Sequence, residues 1–231
     1  MDSSPAHHRP RHMPVRRIPK NHIHVTGRHA SAKAQGHADF ESPLEWEYLI
    51  LLDFDPRVER YEVQPVRVPV SGVPRGYVPD VLVHFCPDAS GHVAPSELTE
   101  IKTAEDYRAN EALYAPKFAA AEQFANERGW RFVRKSDKDI RTARLQNIKF
   151  LRSFLHHSPL PHLVEQVFLA LGASRGRRSS SQTLAAACAT DQERAELLPV
   201  IWHLLATGQL DTHWDSPFGA DVALWRPAEA P

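Results

Sequence analysis

Asp80, Glu100 and Lys102 are the residues whose types and spacing could do chemistry in this chain. They fall in two runs, Val78-Pro79-Asp80-Val81-Leu82-Val83-His84-Phe85 and Ser96-Glu97-Leu98-Thr99-Glu100-Ile101-Lys102-Thr103, either side of Cys86-Pro87-Asp88-Ala89-Ser90-Gly91. Both runs alternate with period two about a turn-forming cluster, which predicts an antiparallel hairpin. On the second arm Glu100 and Lys102 share one face and Ile101 takes the other, because successive strand side chains alternate. Asp80 opens the first arm and can meet them at the same end of the sheet. Two carboxylates and an ammonium on such a scaffold suit metal-dependent phosphodiester cleavage. The carboxylates offer hard oxygens to a divalent cation, and the lysine can orient or activate a water, or neutralise charge on the scissile phosphate.

Pro79-Asp80 followed by Glu100-Ile101-Lys102 matches the PD-(D/E)-x-K pattern of restriction-endonuclease-like nucleases. The letters alone are weak, since a turn-starting Pro-Asp and an exposed cross-strand ion pair would read the same way. Their setting favours the nuclease: the pieces fall on paired strands, a helix with a spare acid precedes them, and a helix and a strand follow. The spare acid is Glu45, with Glu41 and Glu47 as rivals. Ser42 is the expected N-cap, Pro43 the first helical residue and Glu45 the reaching-back member of a capping box. The capping role is sufficient by itself; the functional alternative is a further metal ligand or a group that orients a water. Glu41 precedes the cap and Glu47 lies on another side of the helix, so Glu45 is the choice. Gln64, before Pro65, is a weaker candidate for the rim of the site, an edge-strand polar residue being the plainer reading.

The elements that must position these residues follow from the pattern. Leu44, Tyr48, Leu51 and Leu52 give the first helix an apolar face, and Asp55-Pro56 ends it. Residues 58–70 read as strand broken by two prolines, and 71–76 as a turn. Residues 106–128 read as a helix with a kink or late start at Pro116, Gly129 as its stop, 130–133 as a strand and 139–157 as a helix. The expected fold class is α/β, a restriction-endonuclease-like mixed sheet flanked by helices. Ser158-Pro159-Leu160-Pro161 marks a boundary, after which helices at 161–171, 182–188 and 191–206 and a hairpin over 209–225 suggest a small winged-helix-like C-terminal domain. The expected domains are 1–38, a basic flexible arm, 39–157, the nuclease core, and 158–231.

Composition bounds the rest. The chain has 231 residues, 42% hydrophobic and 24% charged, as in a soluble globular protein. No apolar run approaches the roughly 20 residues that span a bilayer. The basic N-terminal residues have no apolar core behind them, so they are not expected to be a secretory signal, and Cys86 and Cys188 suggest neither a disulfide framework nor a thiolate zinc site. A reducing cytoplasm fits best. Lys+Arg 28 against Asp+Glu 28 leaves no net charge, so overall charge says nothing about nucleic acid. The distribution says more: Arg9, Arg11, Arg16, Arg17, Lys20, Arg28 and Lys33 precede Asp39 with Asp2 as the single opposing acid. Such an arm can neutralise phosphates, although a solvated tail fits the composition equally well. Arg16, Arg17, Lys20, Lys135, Arg177 and Arg178 are the candidate DNA contacts.

Taken together, Ser42-Pro43-Leu44-Glu45-Trp46-Glu47-Tyr48-Leu49 with Asp53-Phe54-Asp55, then Tyr77-Val78-Pro79-Asp80-Val81-Leu82-Val83, Glu100-Ile101-Lys102, and Trp130-Arg131-Phe132-Val133 with Asn147-Ile148 resemble the TnsA family, the endonuclease subunit of heteromeric bacterial transposases. The resemblance covers residues 40–157 and extends more loosely into the C-terminal part. It implies that Glu45, Asp80 and Glu100, with Ile101, form the metal-binding set and that Lys102 is the catalytic lysine. It implies Mg²⁺, with Mn²⁺ able to substitute, and no other cofactor. It further implies cleavage at the 5′ ends of a transposon, a DDE transposase partner (TnsB-like) that cuts and joins the 3′ ends, and an ATP-dependent regulator (TnsC-like) that contacts the complex through the C-terminal part. The expected location is the bacterial cytoplasm, at the nucleoid when bound to DNA. The better-known member has an amide where this chain has Glu100, and a carboxylate fits the general nuclease pattern better. Two rivals stand beside this reading: a catalytically silent DNA-end adaptor bridging transposase and regulator, and a stand-alone restriction or repair nuclease.

Overall fold

The computed structural model describes residues 26–172 and 178–227, so Arg16, Arg17, Lys20 and Arg177 lie outside the described residues. The chain divides into two compact units between Ile140 and Arg141.

In the first unit, β1 (Gly27–His29) and β2 (Ala38–Phe40) pair antiparallel ahead of α1 (Pro43–Phe54). The stretch from residue 26 to 38 is therefore folded, where the sequence suggested a flexible arm. The physical reason is a buried polar knot: His29, 6% exposed, meets Asp53 at 2.6 Å, and Ser31 and Tyr61 donate to the other oxygen of that carboxylate. Lys33 Nζ also donates to the carbonyls of Leu52 and Asp55, closing the C-terminus of α1.

The helix α1 starts at the Ser42 cap with Pro43 in its first turn and ends at the Asp55 cap, as expected. It buries more than one stripe: Leu44, Tyr48 and Leu52 are joined by Leu49 and Ile50, 1% and 0% exposed. A helix buried on most sides belongs in the middle of a unit, which fixes its N-terminus firmly.

The sheet contains β3 (Val58–Val63), β6 (Val81–Phe85), β7 (Glu97–Ile101) and β8 (Arg131–Lys135) in that order. The β3/β6 and β6/β7 pairs are antiparallel and β7/β8 is parallel, so the sheet is mixed. The parallel pair needs a crossover, which α2 (Ala104–Ala109) and α3 (Glu111–Asn126) supply. The helical run breaks at Asn110, and Pro116 lies inside α3. Leu82, Leu98 and Phe132 stand opposite one another on one face and pack against Phe124 and Ala125 of α3. By alternation Thr99 points to the other face, where it meets Tyr48 of α1.

Residues 71–76 were expected to be only a turn. Instead β4 (Val68–Val70) and β5 (Val73–Tyr77) form a two-stranded ladder, with the turn confined to Ser71 and Gly72. Gly76 permits it: φ is +61°, and a Cβ there would meet the Val68 carbonyl oxygen at 2.6 Å. α4 (Asp137–Ile140) closes the unit.

The second unit begins with α5 (Ala143–Leu151), which packs against α8 (Asp191–Ala206). The boundary thus falls before this helix rather than at 157/158, because its apolar side, Leu145, Ile148 and Leu151, is buried at 2% exposure or less in that packing. α6 (Pro161–Leu171) and α7 (Ser180–Ala187) complete the helices; α7 and α8 start at Ser179 and Thr190 capping boxes. The hairpin expected over 209–225 is reduced to a single bridge between Asp211 and Trp225. β10 (Ala223–Leu224) pairs instead with β9 (Arg178–Ser179).

Candidate active site

Ladder register brings the chemistry together. Val81 stands opposite Thr99, so one further step along the antiparallel pair sets Asp80 opposite Glu100. The Asp80 amide donates to the Thr99 carbonyl at 3.0 Å, and Asp80 Oδ2 accepts the Ile101 amide at 2.7 Å, which ties its carboxylate to the end of β7. Glu100, in turn, is opposite Arg134 on β8.

Lys102 follows β7 with its amide bonded to the Lys135 carbonyl at 3.2 Å. Its Nζ lies 2.7 Å from Glu100 Oε1, 3.0 Å from the Ile101 carbonyl oxygen and 3.6 Å from Asp80 Oδ2. Three hard oxygens therefore converge on one positive atom. The side chains of Asp80, Glu100 and Lys102 are 15%, 4% and 27% exposed, so this is not the solvated cross-strand pair that a structural reading of the letters would give. The apolar Ile101 side chain is 3% exposed and offers nothing to a cation; its carbonyl is the group that can.

Glu45 also faces this cluster, though not as a regular capping box. Its amide reaches Ser42 Oγ at 3.2 Å, but its carboxylate accepts the Glu41 amide at 2.8 Å and the Ser42 hydroxyl at 2.9 Å instead of the Ser42 amide. Burial, with the Asp80 charge adding to it, pushes Glu45 up to about 7. Burial and Asp80 likewise push Glu100 up to about 8, against the opposing pull of Lys102 and Tyr77. Asp80 is raised by burial, although Lys102 and the Ile101 amide work against the rise. Burial pulls Lys102 down, but Asp80 and Glu100 together outweigh it and hold the ammonium above its ordinary range.

Sequence reasoning missed several groups that support the site. The Tyr77 hydroxyl donates to Glu100 Oε2 at 2.6 Å. The Tyr107 hydroxyl donates to the Glu100 carbonyl at 2.9 Å. Arg134, level with Glu100, lays its guanidinium 5.6 Å from the Phe118 ring centre and 6.0 Å from that of Tyr107. Tyr77 was legible as part of the stretch leading into Asp80; Tyr107 gave no signal because the turn from β7 into α2 brings it back to Glu100, and Arg134 gave none because only β7/β8 pairing brings it near. Lys135 ends β8 opposite Ile101, at the same end of the sheet. Arg178 belongs to the second unit, where it donates to the Ala170 carbonyl at 2.6 Å.

Among the described residues no three His, Cys, Asp or Glu side chains come together as a ready-made metal cage. The donor set that does converge, two carboxylates and a backbone carbonyl already gathered about a positive charge, is of the kind a hard divalent cation takes. Among the described residues no helix is long and apolar enough to cross a membrane.

Residues 55–137 match the family model for the TnsA-like endonuclease N terminal, and residues 139–213 match that for the TnsA endonuclease C terminal. The first match contains Asp80, Glu100 and Lys102 and begins after Glu45. No curated protein matches the chain.

Proposed function

The chain belongs to the TnsA endonuclease family, and from that membership we propose that it hydrolyses DNA phosphodiesters at the 5′ ends of a transposon with the aid of a divalent cation. One observation carries the reading: the convergence of Glu100 Oε1, the Ile101 carbonyl and Asp80 Oδ2 on Lys102 Nζ. Asp80, Glu100 and the Ile101 carbonyl would hold Mg²⁺, or Mn²⁺ in its place, with Glu45 in support. Such an ion, when bound, lowers the pKa of water and neutralises phosphate charge.

The protein's own groups do the positioning. Asp80 is held against the Ile101 amide, and both oxygens of Glu100 are engaged, by Lys102 and by Tyr77, so each carboxylate is kept in one orientation. Lys102 donates hydrogen bonds in this arrangement. Its role is to orient the attacking water and to offset charge on the phosphate, rather than to remove a proton. Lys135, at the same sheet end, is suited to contact the neighbouring phosphate backbone.

In this reading a DDE transposase partner cuts and joins the 3′ ends, and an ATP-dependent regulator engages the second unit, whose helices also suit a winged-helix-like role. The test is strand-resolved cleavage by the full assembly with Mg²⁺. Asp80→Asn and Lys102→Ala are expected to abolish the 5′ cut while the 3′ cut persists; undiminished 5′ cleavage by either variant would overturn the assignment. One observation favours a silent DNA-end adaptor as the second reading: the absence of a three-acid cage among the described residues. In that case wild-type assembly would cut no 5′ strand at all.

A further inference from the structure

Gln64 combines three features that packing alone does not explain. Its φ is +48°, a left-handed conformation that residues other than glycine adopt at a cost, and Pro65 after it narrows the choices further. Its side chain is buried, with the residue 6% exposed. Its Oε1 is enclosed without a hydrogen-bond partner, while Nε2 donates to Glu41 Oε1 at 3.1 Å. The amide orientation is fixed by that bond, since a carboxylate can take only the NH₂ side. Buried acceptors are normally satisfied, and one left open at a strained position points to something that fills it.

Its surroundings say what. Val63 stands opposite Val81, so Gln64 falls opposite Asp80, and the Gln64 amide donates to the Asp80 carbonyl at 2.7 Å. Gln64, Asp80 and Glu100 thus form one row across three strands at the chemical end of the sheet. Glu41, which Gln64 holds, is close enough for its charge to act on Asp80. The left-handed turn ends β3 at Val63, and the side-chain amide meets the Glu41 carboxylate.

We infer that Gln64 is a positioning residue of the cation site: Nε2 fixes the Glu41 carboxylate beside Asp80, and the open Oε1 accepts a hydrogen bond from a water that enters with a divalent cation. This deepens the hydrolytic reading and rests on it. Groups of this kind, one step removed from the ligands, typically change metal affinity about 10-fold or more when removed.

The test is calorimetric titration of the full chain with Mn²⁺, alongside melting in chelator. Gln64→Met keeps length and removes both polar atoms. It is expected to weaken Mn²⁺ binding about 10-fold without lowering the metal-free melting temperature. Glu41→Gln should weaken binding as well, and the two changes together should cost less than the sum of each alone. Wild-type Mn²⁺ affinity in Gln64→Met overturns the inference; if that variant does not fold, wild-type affinity in Glu41→Gln does so. Asp80→Asn separates the two levels of argument. If the wild-type chain binds no Mn²⁺, or Asp80→Asn binds as well as wild type, the cation site fails and this inference with it. If Asp80→Asn loses binding and Gln64→Met keeps it, only the role of Gln64 falls.

Discussion

The Tyr77 hydroxyl donates to Glu100 Oε2 at 2.6 Å while Lys102 holds Oε1 of the same carboxylate at 2.7 Å. A buried acid gripped at both oxygens keeps one orientation. Tyr77→Phe removes one grip and leaves Oε2 enclosed without a donor, so the first unit should lose about 1–2 kcal/mol of stability. The lost hydrogen bond is one that lowers Glu100, so its proton will be held to still higher pH. Denaturant unfolding checks the first effect, and the pH midpoint of Mn²⁺ binding, which should move upward, checks the second.

Asp80→Asn is the informative change at the other carboxylate, because Asp80 Oδ2 caps the Ile101 amide at 2.7 Å. The asparagine carbonyl can keep that bond while the charge is lost. The domain is expected to melt within a few degrees of wild type, with 5′ strand cleavage abolished. Asp80→Ala should also destabilise the end of β7, by about 1–3 kcal/mol, through the orphaned buried amide. Comparing the two variants by circular dichroism and by cleavage separates the charge from the cap.

The acids also predict how stability changes with pH. Glu45 and Glu100 are raised from ordinary values near 4.5 to about 7 and about 8. Between those limits the folded metal-free chain keeps protons that the unfolded chain has released. This contribution to stability is full below about pH 4.5 and is lost as pH rises through 7 to 8, at up to about 1.4 kcal/mol per pH unit for each proton retained. The metal-free melting temperature should therefore be lower at pH 8 than at pH 6. Divalent cations need the ionised acids, so stabilisation by Mn²⁺ should run the opposite way and be larger at pH 8. A melting curve that rises over this range without metal would contradict the burial of these acids.

Gly76→Ala tests the platform behind Tyr77. The residue has φ +61°, and an added Cβ would meet the Val68 carbonyl oxygen at 2.6 Å. The ladder between β4 and β5 should be disrupted at a cost of about 2 kcal/mol or more. Hydrogen exchange should then show faster exchange at the amides of residues 68–77.

In the second unit, Asn147 is 3% exposed and ties down a loop: Nδ2 donates to the carbonyls of Trp214 and Ser216, and Oδ1 accepts the Phe218 amide. Asn147→Ala leaves three backbone groups without partners and should destabilise this unit by about 3 kcal/mol. Faster hydrogen exchange at residues 214–218, with the first unit unchanged, is the expected signature.

The sequence by itself determined the local pieces. Alternation around Asp80 and Glu100 gave the paired strands, because period-two patterning fixes which side chains share a face. Ser42-Pro43 gave the start of α1, because cap chemistry is local. Asp80, Glu100 and Lys102 were legible for the same reason, lying on strands joined by one turn. Tertiary structure decided the rest. Gln64 acquires its place only when β3 pairs with β6, and Arg134 only when β8 pairs with β7; neither pairing is written in any neighbouring residue. The fold of residues 26–38 depends on His29 and Ser31 finding Asp53, and the assignment of α5 to the second unit depends on its packing against α8. Above all, burial turned letters that read equally as a solvated ion pair into acids pushed above their ordinary range beside a lysine held above its own. Burial is a property of what surrounds a side chain in space, and the order of residues along the chain does not specify it.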